Sequence, residues 1–111
     1  MTRFKAIARN RGLEWSLTDE QFNTMIGSIC FYCGVGPSSV QCAKWTNMIF
    51  SYNGIDRVDN ALGYTFGNTL TCCKLCSHAK AGMAHNEFIE YLIRAGNHQK
   101  NWNIMKAGLN G

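Results

Sequence analysis

The spacing of apolar residues near the start of the chain predicts a short helix over residues 2–11. Phe4, Ile7 and Ala8 recur at intervals that place them on one side of a helix. Gly12 follows directly, and a glycine after the last turn commonly ends a helix because it adopts a left-handed backbone at little steric cost.

The next segment, LEWSLTDEQFNTMIGSI, carries a stronger helical pattern. Thr18 and Gln21 stand three residues apart, as in a capping box, where each side chain accepts a hydrogen bond from the other residue's backbone amide. Leu17 and Phe22 occupy the positions of a hydrophobic staple at the same end. The expected buried face follows helical intervals through Phe22, Met25, Ile26 and Ile29. This helix leads the chain directly to Cys30.

Alternating patterns replace helical ones in the middle of the chain. Residues 34–51 are weakly patterned: GVGPSS predicts a loop, and the apolar run NMIF indicates a short strand. The segments YNGIDRV and YTFGNTL predict two strands, because the turn residues DNALG separate them. A further helical segment begins near Cys76.

The segment HNEFIEYLIRA predicts the last helix, and its apolar stripe consists of Phe88, Ile89, Leu92 and Ile93. Arg94 suits the last turn, where a positive charge faces the negative end of the helix dipole. Gly96 is expected to end the helix. The polar remainder of the chain is interpreted as a tail that packs through Trp102.

A chain of 111 residues fits one domain, and a domain this small often needs a covalent or metal staple. The formal charge of +4 is unevenly distributed. The first eleven residues carry no acidic side chain and four basic ones, Arg3, Lys5, Arg9 and Arg11. Such a cluster suits a polyanion such as nucleic acid, with a solvated basic face as an equal alternative.

The N-terminus has charges but lacks the apolar stretch of a signal peptide. No run of residues approaches the roughly 18 apolar positions of a membrane span. We therefore expect an intracellular protein without a membrane partner. Disulfides are rare inside cells, where closely spaced cysteines more often bind metal.

Four of the six cysteines form two C-x-x-C pairs. Cys30 and Cys33 lie in CFYCG, Cys73 and Cys76 lie in CKLC, and 39 residues separate the two pairs. Two such pairs can close a tetrahedral four-thiolate zinc site, because two intervening residues let both sulfurs of a pair face one ion. The alternatives are two disulfides or four unrelated thiols of the core.

The other two cysteines leave one ambiguity. Cys72 could replace Cys73 as a ligand with three intervening residues, but the shorter spacing favours Cys73. Cys42 and Cys72 are then expected to be small buried hydrophobic residues. Gly34 follows the first pair, where a tight turn often requires glycine. A closed four-thiolate zinc site has no open position for water, so any chemistry must lie elsewhere.

The order of these motifs, CFYCG … YNGIDRVDNALGYTFGNTLTCCKLCSHAK … EFIEYL, resembles the HNH endonuclease family, in particular its small phage and bacterial members with a zinc knuckle. The resemblance covers about residues 13–95. It implies an α+β fold, a small zinc-stapled ββα-metal domain of the His-Me finger type with flanking helices. Together with the chain length, this predicts a single domain over 1–111, with a basic helical region (1–29), a zinc-knuckle ββα core (30–80) and a C-terminal helix and tail (84–111).

The resemblance also implies roles for individual residues. Asp56 matches the carboxylate of the first strand that binds the catalytic divalent ion, Mg²⁺ or Mn²⁺. Arg57 falls where many members have the general-base histidine, and Asn68 matches the asparagine that orients the hairpin loop. Ser77 falls at a second metal-ligand position, which members fill with His or Asn. Lys80 matches a lysine that faces the phosphate backbone.

Two of these positions depart from the usual family pattern. Arg57 is always protonated and cannot act as a base, but it can hold a phosphate with two donors. Ser77 is a weaker ligand, so a catalytic ion would depend on water and substrate oxygens. His78 is adjacent, but on a helix it points about 100° away from Ser77. The other histidines, His85 and His98, are expected at the surface or at helix ends.

The sequence therefore predicts a metal-dependent endonuclease, non-specific or nicking, that hydrolyses DNA phosphodiester bonds, with structural Zn²⁺ and catalytic Mg²⁺ or Mn²⁺. Its expected nucleic-acid contacts are Arg3, Lys5, Arg9, Arg11, Arg57 and Lys80. The alternative is a catalytically silent, zinc-stabilised module that binds DNA, RNA or a nucleoprotein assembly. It follows from the departures at Arg57 and Ser77, and Asp56 and Asp59 would then only bond the backbone of a turn. The expected location is the cytoplasm of a bacterial or phage-infected cell.

Overall fold

A computed structural model describes residues 3–42 and 49–110, and gives only the backbone at 42, 109 and 110. The elements in chain order are α1 (Arg3–Asn10), α2 (Asp19–Ile26), β1 (Ser39–Cys42), β2 (Ile49–Tyr52), β3 (Gly54–Arg57), β4 (Thr69–Cys72), α3 (Lys74–Lys80) and α4 (His85–Asn110). A short 3₁₀ helix, Phe66–Asn68, precedes β4. The predicted first residue of α1, Thr2, and the predicted burial of the Cys42 side chain lie outside the described part of the chain.

The first hydrophobic core lies between α1, α2 and β3. Its buried residues are Ala8, Leu17, Phe22, Ile55 and Tyr64. The predicted capping box of α2 is confirmed, because the Thr18 and Gln21 side chains each accept from the other residue's backbone amide at 3.0 Å. Ile29 was expected to extend the buried face, but it is 63% exposed because α2 ends at Ile26.

Two antiparallel hairpins form the β structure of the described residues. β1 pairs with β2, which places Ser39 opposite Tyr52. β3 pairs with β4, which places Asp56 opposite Leu70. The second hairpin and α3 together form the expected ββα arrangement, since α3 follows β4 directly.

The strand predicted over YTFGNTL begins later than expected. Tyr64 is buried in the first core, and its backbone joins the segment before α2: Tyr64 N donates to Glu14 O at 2.8 Å, and Ser16 N donates to Tyr64 O at 3.0 Å. Asn68 N then donates to Thr65 O at 3.1 Å and closes the 3₁₀ turn. This contact with a distant segment delays the start of β4.

The second hydrophobic core connects the cysteine pairs to α4. Its buried residues are Cys30, Cys72, Cys73, Cys76 and Phe88. Phe88 is fully buried near the start of α4, and the ring of Tyr32 meets its ring edge-on at 4.9 Å. This core therefore fixes the start of α4 against the cysteine-bearing segments.

α4 continues well beyond its predicted end. Gly96 lies within the helix rather than after it. Glycine costs about 1 kcal/mol in a helix but does not forbid it. Trp102 is 53% exposed on the same helix, so the predicted tail that packs through this residue is wrong. Within the described residues, no helix combines the length and the apolar character that a membrane span requires.

Candidate metal cluster and polar site

Four cysteine sulfurs gather where the loop after α2 meets the start of α3. The Sγ atoms of Cys30, Cys33, Cys73 and Cys76 all lie within 4.8 Å of one another, and those of Cys33 and Cys73 are 3.7 Å apart. In a tetrahedral site with Zn–S bonds of about 2.3 Å, neighbouring sulfurs stand about 3.8 Å apart. The cluster therefore has the spacing that binds a metal ion such as zinc, as the two pairs predicted.

Local backbone geometry directs the cysteine side chains of both pairs toward one point. Gly34 has a φ of +79°, a left-handed conformation that favours glycine, and its amide donates to Cys30 O at 2.9 Å. The second pair lies at the start of α3, where the Cys76 amide donates to Cys73 Sγ at 3.4 Å. A tight turn and a helix start therefore present the four sulfurs.

The pKa shifts of the cysteines differ within the cluster: the pKa of Cys30 is lowered, whereas the pKa values of Cys33 and Cys76 are raised, as is that of Cys72 outside the cluster. Burial raises the pKa of Cys30, but backbone amides, led by that of Cys73, lower it to about 7. Cys30 therefore forms the thiolate, the form of cysteine that binds metal, more readily than an ordinary thiol. Burial raises the pKa of Cys72 to about 12, and its thiol donates to Cys73 O at 3.5 Å. Cys72 lies outside the four-cysteine group.

Asp56 carries a polar network on β3. Its Oδ2 atom lies 2.8 Å from Lys80 Nζ and 3.3 Å from the Tyr32 hydroxyl. The Lys80 side chain is 1% exposed and that of Asp56 is 22% exposed. Water therefore reaches the carboxylate of this ion pair but not the ammonium group of the lysine.

The network continues from Tyr32 to His85, the first residue of α4. The Tyr32 hydroxyl lies 2.9 Å from His85 Nδ1. This hydroxyl has one proton, so it donates to Asp56 or to His85 but not to both. Burial and then the charge of Asp56 raise the pKa of Tyr32 above its ordinary value. The phenol therefore stays protonated at neutral pH and relays hydrogen bonds between a carboxylate and an imidazole.

Sequence reasoning did not assign a functional role to Tyr32 or His85. Tyr32 lies between the cysteines of the first pair, and the C-x-x-C motif assigns no role to the residues between its cysteines. His85 begins α4, as expected for a helix-end residue, but 53 positions separate it from Tyr32. No local pattern encodes such a contact.

Arg57 is bound to the turn that follows β3. Its Nη1 atom donates to Asn60 O at 2.6 Å and to Leu62 O at 2.9 Å. Its guanidinium also lies 5.6 Å from the centre of the Tyr64 ring. The guanidinium carries further donors on Nε and Nη2, which are the groups that a phosphate would use. Its role as a phosphate ligand stays a prediction.

Asn68 holds the same turn from the other side. Its Oδ1 accepts from Asp59 N at 2.8 Å, and its Nδ2 donates to Asp59 O at 3.1 Å and to Gly63 O at 2.8 Å. Asp59 in turn accepts from Ala61 N at 2.9 Å, the contact of a turn residue. These three hydrogen bonds tie Asn68 to the loop of the second hairpin, and its role in orienting a catalytic site stays a prediction.

The other predicted site residues lie apart from this network. Ser77 and His78 are exposed on α3 and line a cleft whose lining does not include Asp56. The exposed basic residues of the N-terminal region are Arg3, Arg9 and Arg11, and Lys5 is half-buried. The roles of Ser77 in metal binding and of these four residues in nucleic-acid binding stay predictions.

Asp56 offers a limited donor set for a catalytic ion. In the described part of the chain, the four cysteines form the sole group of three or more His, Cys, Asp or Glu side chains that could hold a metal ion. Mg²⁺ is commonly bound by one or two carboxylates, with water and substrate phosphates completing its shell. One partly exposed carboxylate fits an ion that is shared with the substrate, rather than an ion in a complete protein cage.

No family model matches the chain. A search of curated proteins finds an uncharacterised protein, R423, of Acanthamoeba polyphaga mimivirus, which is 34% identical over 98 residues. The match covers 88% of this chain, and the chain spans 16% of the length of that viral protein. A solved structure of PacI, a rare-cutting HNH restriction endonuclease, superposes with a TM-score of 0.61 at 19% sequence identity. It covers 88% of this chain and 76% of the PacI chain, and it shows that the fold is HNH-like.

Proposed function

We propose that the chain is an HNH-type, metal-dependent endonuclease that hydrolyses or nicks DNA phosphodiester bonds, with Zn²⁺ as a structural ion in the cysteine cluster. The observation that carries the proposal is the carboxylate of Asp56, which is open to water on an HNH-like fold and joined through Tyr32 to an imidazole. A phosphodiester hydrolase needs a metal ion or a cationic side chain that stabilises the negative charge of the phosphate. It also needs a group that accepts a proton from the attacking water. The site supplies residues for both.

Each residue of the network then has a role. Asp56 would hold Mg²⁺ or Mn²⁺, which stabilises charge on the phosphate and makes a bound water more acidic. Lys80, buried and 2.8 Å from the carboxylate, holds Asp56 in place rather than meeting phosphate directly. His85 is the imidazole of the network, and imidazole is the side chain best suited to accept a proton near neutral pH.

The turn after β3 would supply the phosphate contact. Arg57 cannot act as a base, but the two carbonyl contacts of its Nη1 fix its direction, so its remaining donors need no reordering when they meet a phosphate. Asn68 keeps this turn in shape through three hydrogen bonds. Ser77 would contribute at most through water, since serine is a weak ligand.

A second candidate is a catalytically silent, zinc-stabilised module that binds nucleic acid or a nucleoprotein assembly. It is favoured by the contacts that Asp56 and Arg57 already make within the chain. Asp56 is neutralised by Lys80, and Arg57 donates hydrogen bonds to two carbonyls of its own turn. A structural role accounts for these contacts without catalysis.

Cleavage of supercoiled plasmid DNA in the presence of Mg²⁺ or Mn²⁺ distinguishes the two candidates. The control is Asp56→Asn, which keeps the shape of the side chain and a polar partner for Lys80. We expect nicked or linear product from wild-type protein and none from the variant, with equal zinc content in both. Equal cleavage by both proteins would contradict the assignment of Asp56. No cleavage by a zinc-loaded wild type with either ion would favour the silent module.

A further inference from the structure

A cleft separates the outer face of α3 from the first hairpin and the start of α1. Its volume is about 850 Å³. A neighbouring cleft of about 570 Å³ runs along β2. The two share a wall that consists of Arg3, Phe4, Val40 and Tyr52. Neither is lined by Asp56, Tyr32 or His85, so this double cleft presents a surface other than the polar network.

The charge of the double cleft has one sign. Its ionisable side chains include Arg3, Lys74 and His78, and no acidic residue of the described chain lines it. The hydroxyl groups of Ser39 and Ser77 lie on the same walls, together with that of Ser38, which donates to Asn53 Oδ1 at 3.2 Å. Cationic and hydroxyl donors are the groups that most often contact phosphate oxygens. The charge and donors therefore suit a chain of phosphates.

Aromatic rings of β2 line the floor of the same surface. Phe50 and Tyr52 stand two positions apart on one strand, so they face the same side of the hairpin. Their ring centres are 6.0 Å apart, and Phe50 is 44% exposed. Proteins that bind single-stranded nucleic acid combine a basic groove with aromatic rings on which unpaired bases stack.

We propose that the double cleft binds a short stretch of single-stranded nucleic acid, with phosphates on Arg3 and Lys74 and bases on Phe50 and Tyr52. A duplex does not fit this description, because its bases are already stacked and paired and cannot reach the rings. This binding surface is separate from the proposed cleavage site, since Asp56 lines neither cleft. Binding at the cleft does not require hydrolysis at Asp56, so the two can be tested separately.

Fluorescence anisotropy with two labelled oligomers tests the proposal. The probes are an oligothymidylate of about 15 nucleotides, near the upper site size of such grooves, and an abasic oligomer with the same number of phosphates. Binding is measured without added divalent ions and without chelator, so that the cysteine cluster keeps its metal and the probe stays intact. Zinc content and circular dichroism confirm that each variant is folded.

Two substitutions separate stacking from charge. Phe50→Ala should weaken oligothymidylate binding about fivefold or more, as expected for one lost stacking contact, and leave abasic binding within twofold. Lys74→Gln should weaken both probes and reduce the salt slope by about 0.7. The matched control, Lys100→Gln, removes an equal charge from the exposed part of α4 and should change neither.

The outcomes are distinct. If the folded Phe50→Ala and Lys74→Gln variants both bind oligothymidylate like wild type, the cleft is not the binding site. If Phe50→Ala weakens both probes equally, or if a polyglutamate peptide of matched charge competes as well as the oligomer, the surface recognises charge and not bases, and the proposal fails. Asp56→Asn should retain oligothymidylate binding, so a failure of the cleavage proposal leaves this result standing.

Discussion

Asp56 and Lys80 have unequal access to water, and this inequality sets the cost of removing either one. The Lys80 side chain is 1% exposed, whereas the Asp56 side chain is 22% exposed. A carboxylate that loses its partner can still be hydrated, but a buried ammonium cannot. Removing the more exposed partner of such an ion pair is strongly destabilising, because it leaves the buried partner as an uncompensated charge in the interior.

Asp56→Ala should therefore lower the free energy of unfolding by about 3 kcal/mol. Lys80→Met should lower the free energy of unfolding by less, because it replaces the buried ammonium by an apolar side chain of similar length. The double variant Asp56→Ala/Lys80→Met should be more stable than Asp56→Ala alone. Urea unfolding of the three variants checks this. A double variant no more stable than Asp56→Ala would show that water, or the bond from Lys80 Nζ to Arg57 O at 3.4 Å, compensates the ammonium without Asp56.

His85 is the residue whose role in cleavage can be isolated most cleanly, because the chain offers a matched histidine on the same helix. His85→Gln should lower the rate of plasmid cleavage on the order of 100-fold, the usual contribution of a general base. His98→Gln changes an exposed histidine of α4 and should leave the rate unchanged. Full cleavage by zinc-loaded His85→Gln would remove this residue from the mechanism.

At the residue scale, the sequence predicted the positions that local chemistry defines. The four cysteines and the separate role of Cys72 follow from C-x-x-C spacing, and the group of four confirms them. The bonds that join Asp56 to Tyr32 and Tyr32 to His85 connect residues 24 and 53 positions apart. Only tertiary packing brings these side chains together, so no periodicity or spacing rule could have found them.

At the element scale, elements with a buried face were predicted more fully than exposed ones: the run NMIF indicated part of the exposed strand β2, but its partner β1 was not predicted. The capping box of α2 follows directly from the sequence because local side-chain contacts create it, and the predicted staple residues Leu17 and Phe22 are both buried in the first core. β1 was missed because the hairpin that it forms with β2 is largely exposed and shows little alternation: Val40 is 62% exposed and Ile49 is 67% exposed. Sheet residues without a buried face leave no period-two signal.

The metal cluster should hold the second core together, because three of its four cysteines form one buried group with Phe88. Cys76→Ser should lose bound zinc and unfold the start of α3, whereas Cys72→Ser should keep one zinc per chain. Elemental analysis and circular dichroism measure the two effects. Chelation of wild-type protein should reproduce the loss of helix seen in Cys76→Ser. A Cys76→Ser variant with full zinc content would mean that another residue completes the site.

α1 combines a structural face with a basic one, so its charges must be tested without removing the helix. Ala8 is fully buried in the first core, and deletion of residues 1–11 would damage that core. Arg9→Gln/Arg11→Gln removes two exposed charges and should flatten the salt dependence of DNA affinity by about 1.8 in slope for duplex DNA. The free energy of unfolding should stay within about 0.5 kcal/mol of wild type. An unchanged salt slope would mean that these charges face only solvent.

At the scale of the whole molecule, α4 dominates the shape. The radius of gyration is 17.2 Å and the extents are 56 × 37 × 20 Å, whereas a compact domain of this length would have a radius of gyration of about 13 Å. The start of α4 packs against the second core through Phe88, with Leu92 half-buried beside it. From 96 to 108 every described side chain is exposed.

Truncation after Gly96 should therefore remove length without removing stability. The variant lacks 97–111, where the described side chains contribute nothing to either core, so its free energy of unfolding should stay within about 0.5 kcal/mol of wild type. Zinc content should be unchanged, and small-angle X-ray scattering should show a radius of gyration closer to the compact value. As a control, truncation after His85 removes Phe88 and should unfold the second core. A marked loss of stability on truncation after Gly96 would show that the distal half of α4 packs in solution, either on its own chain or on a second copy. The concentration dependence of the scattering distinguishes these two cases.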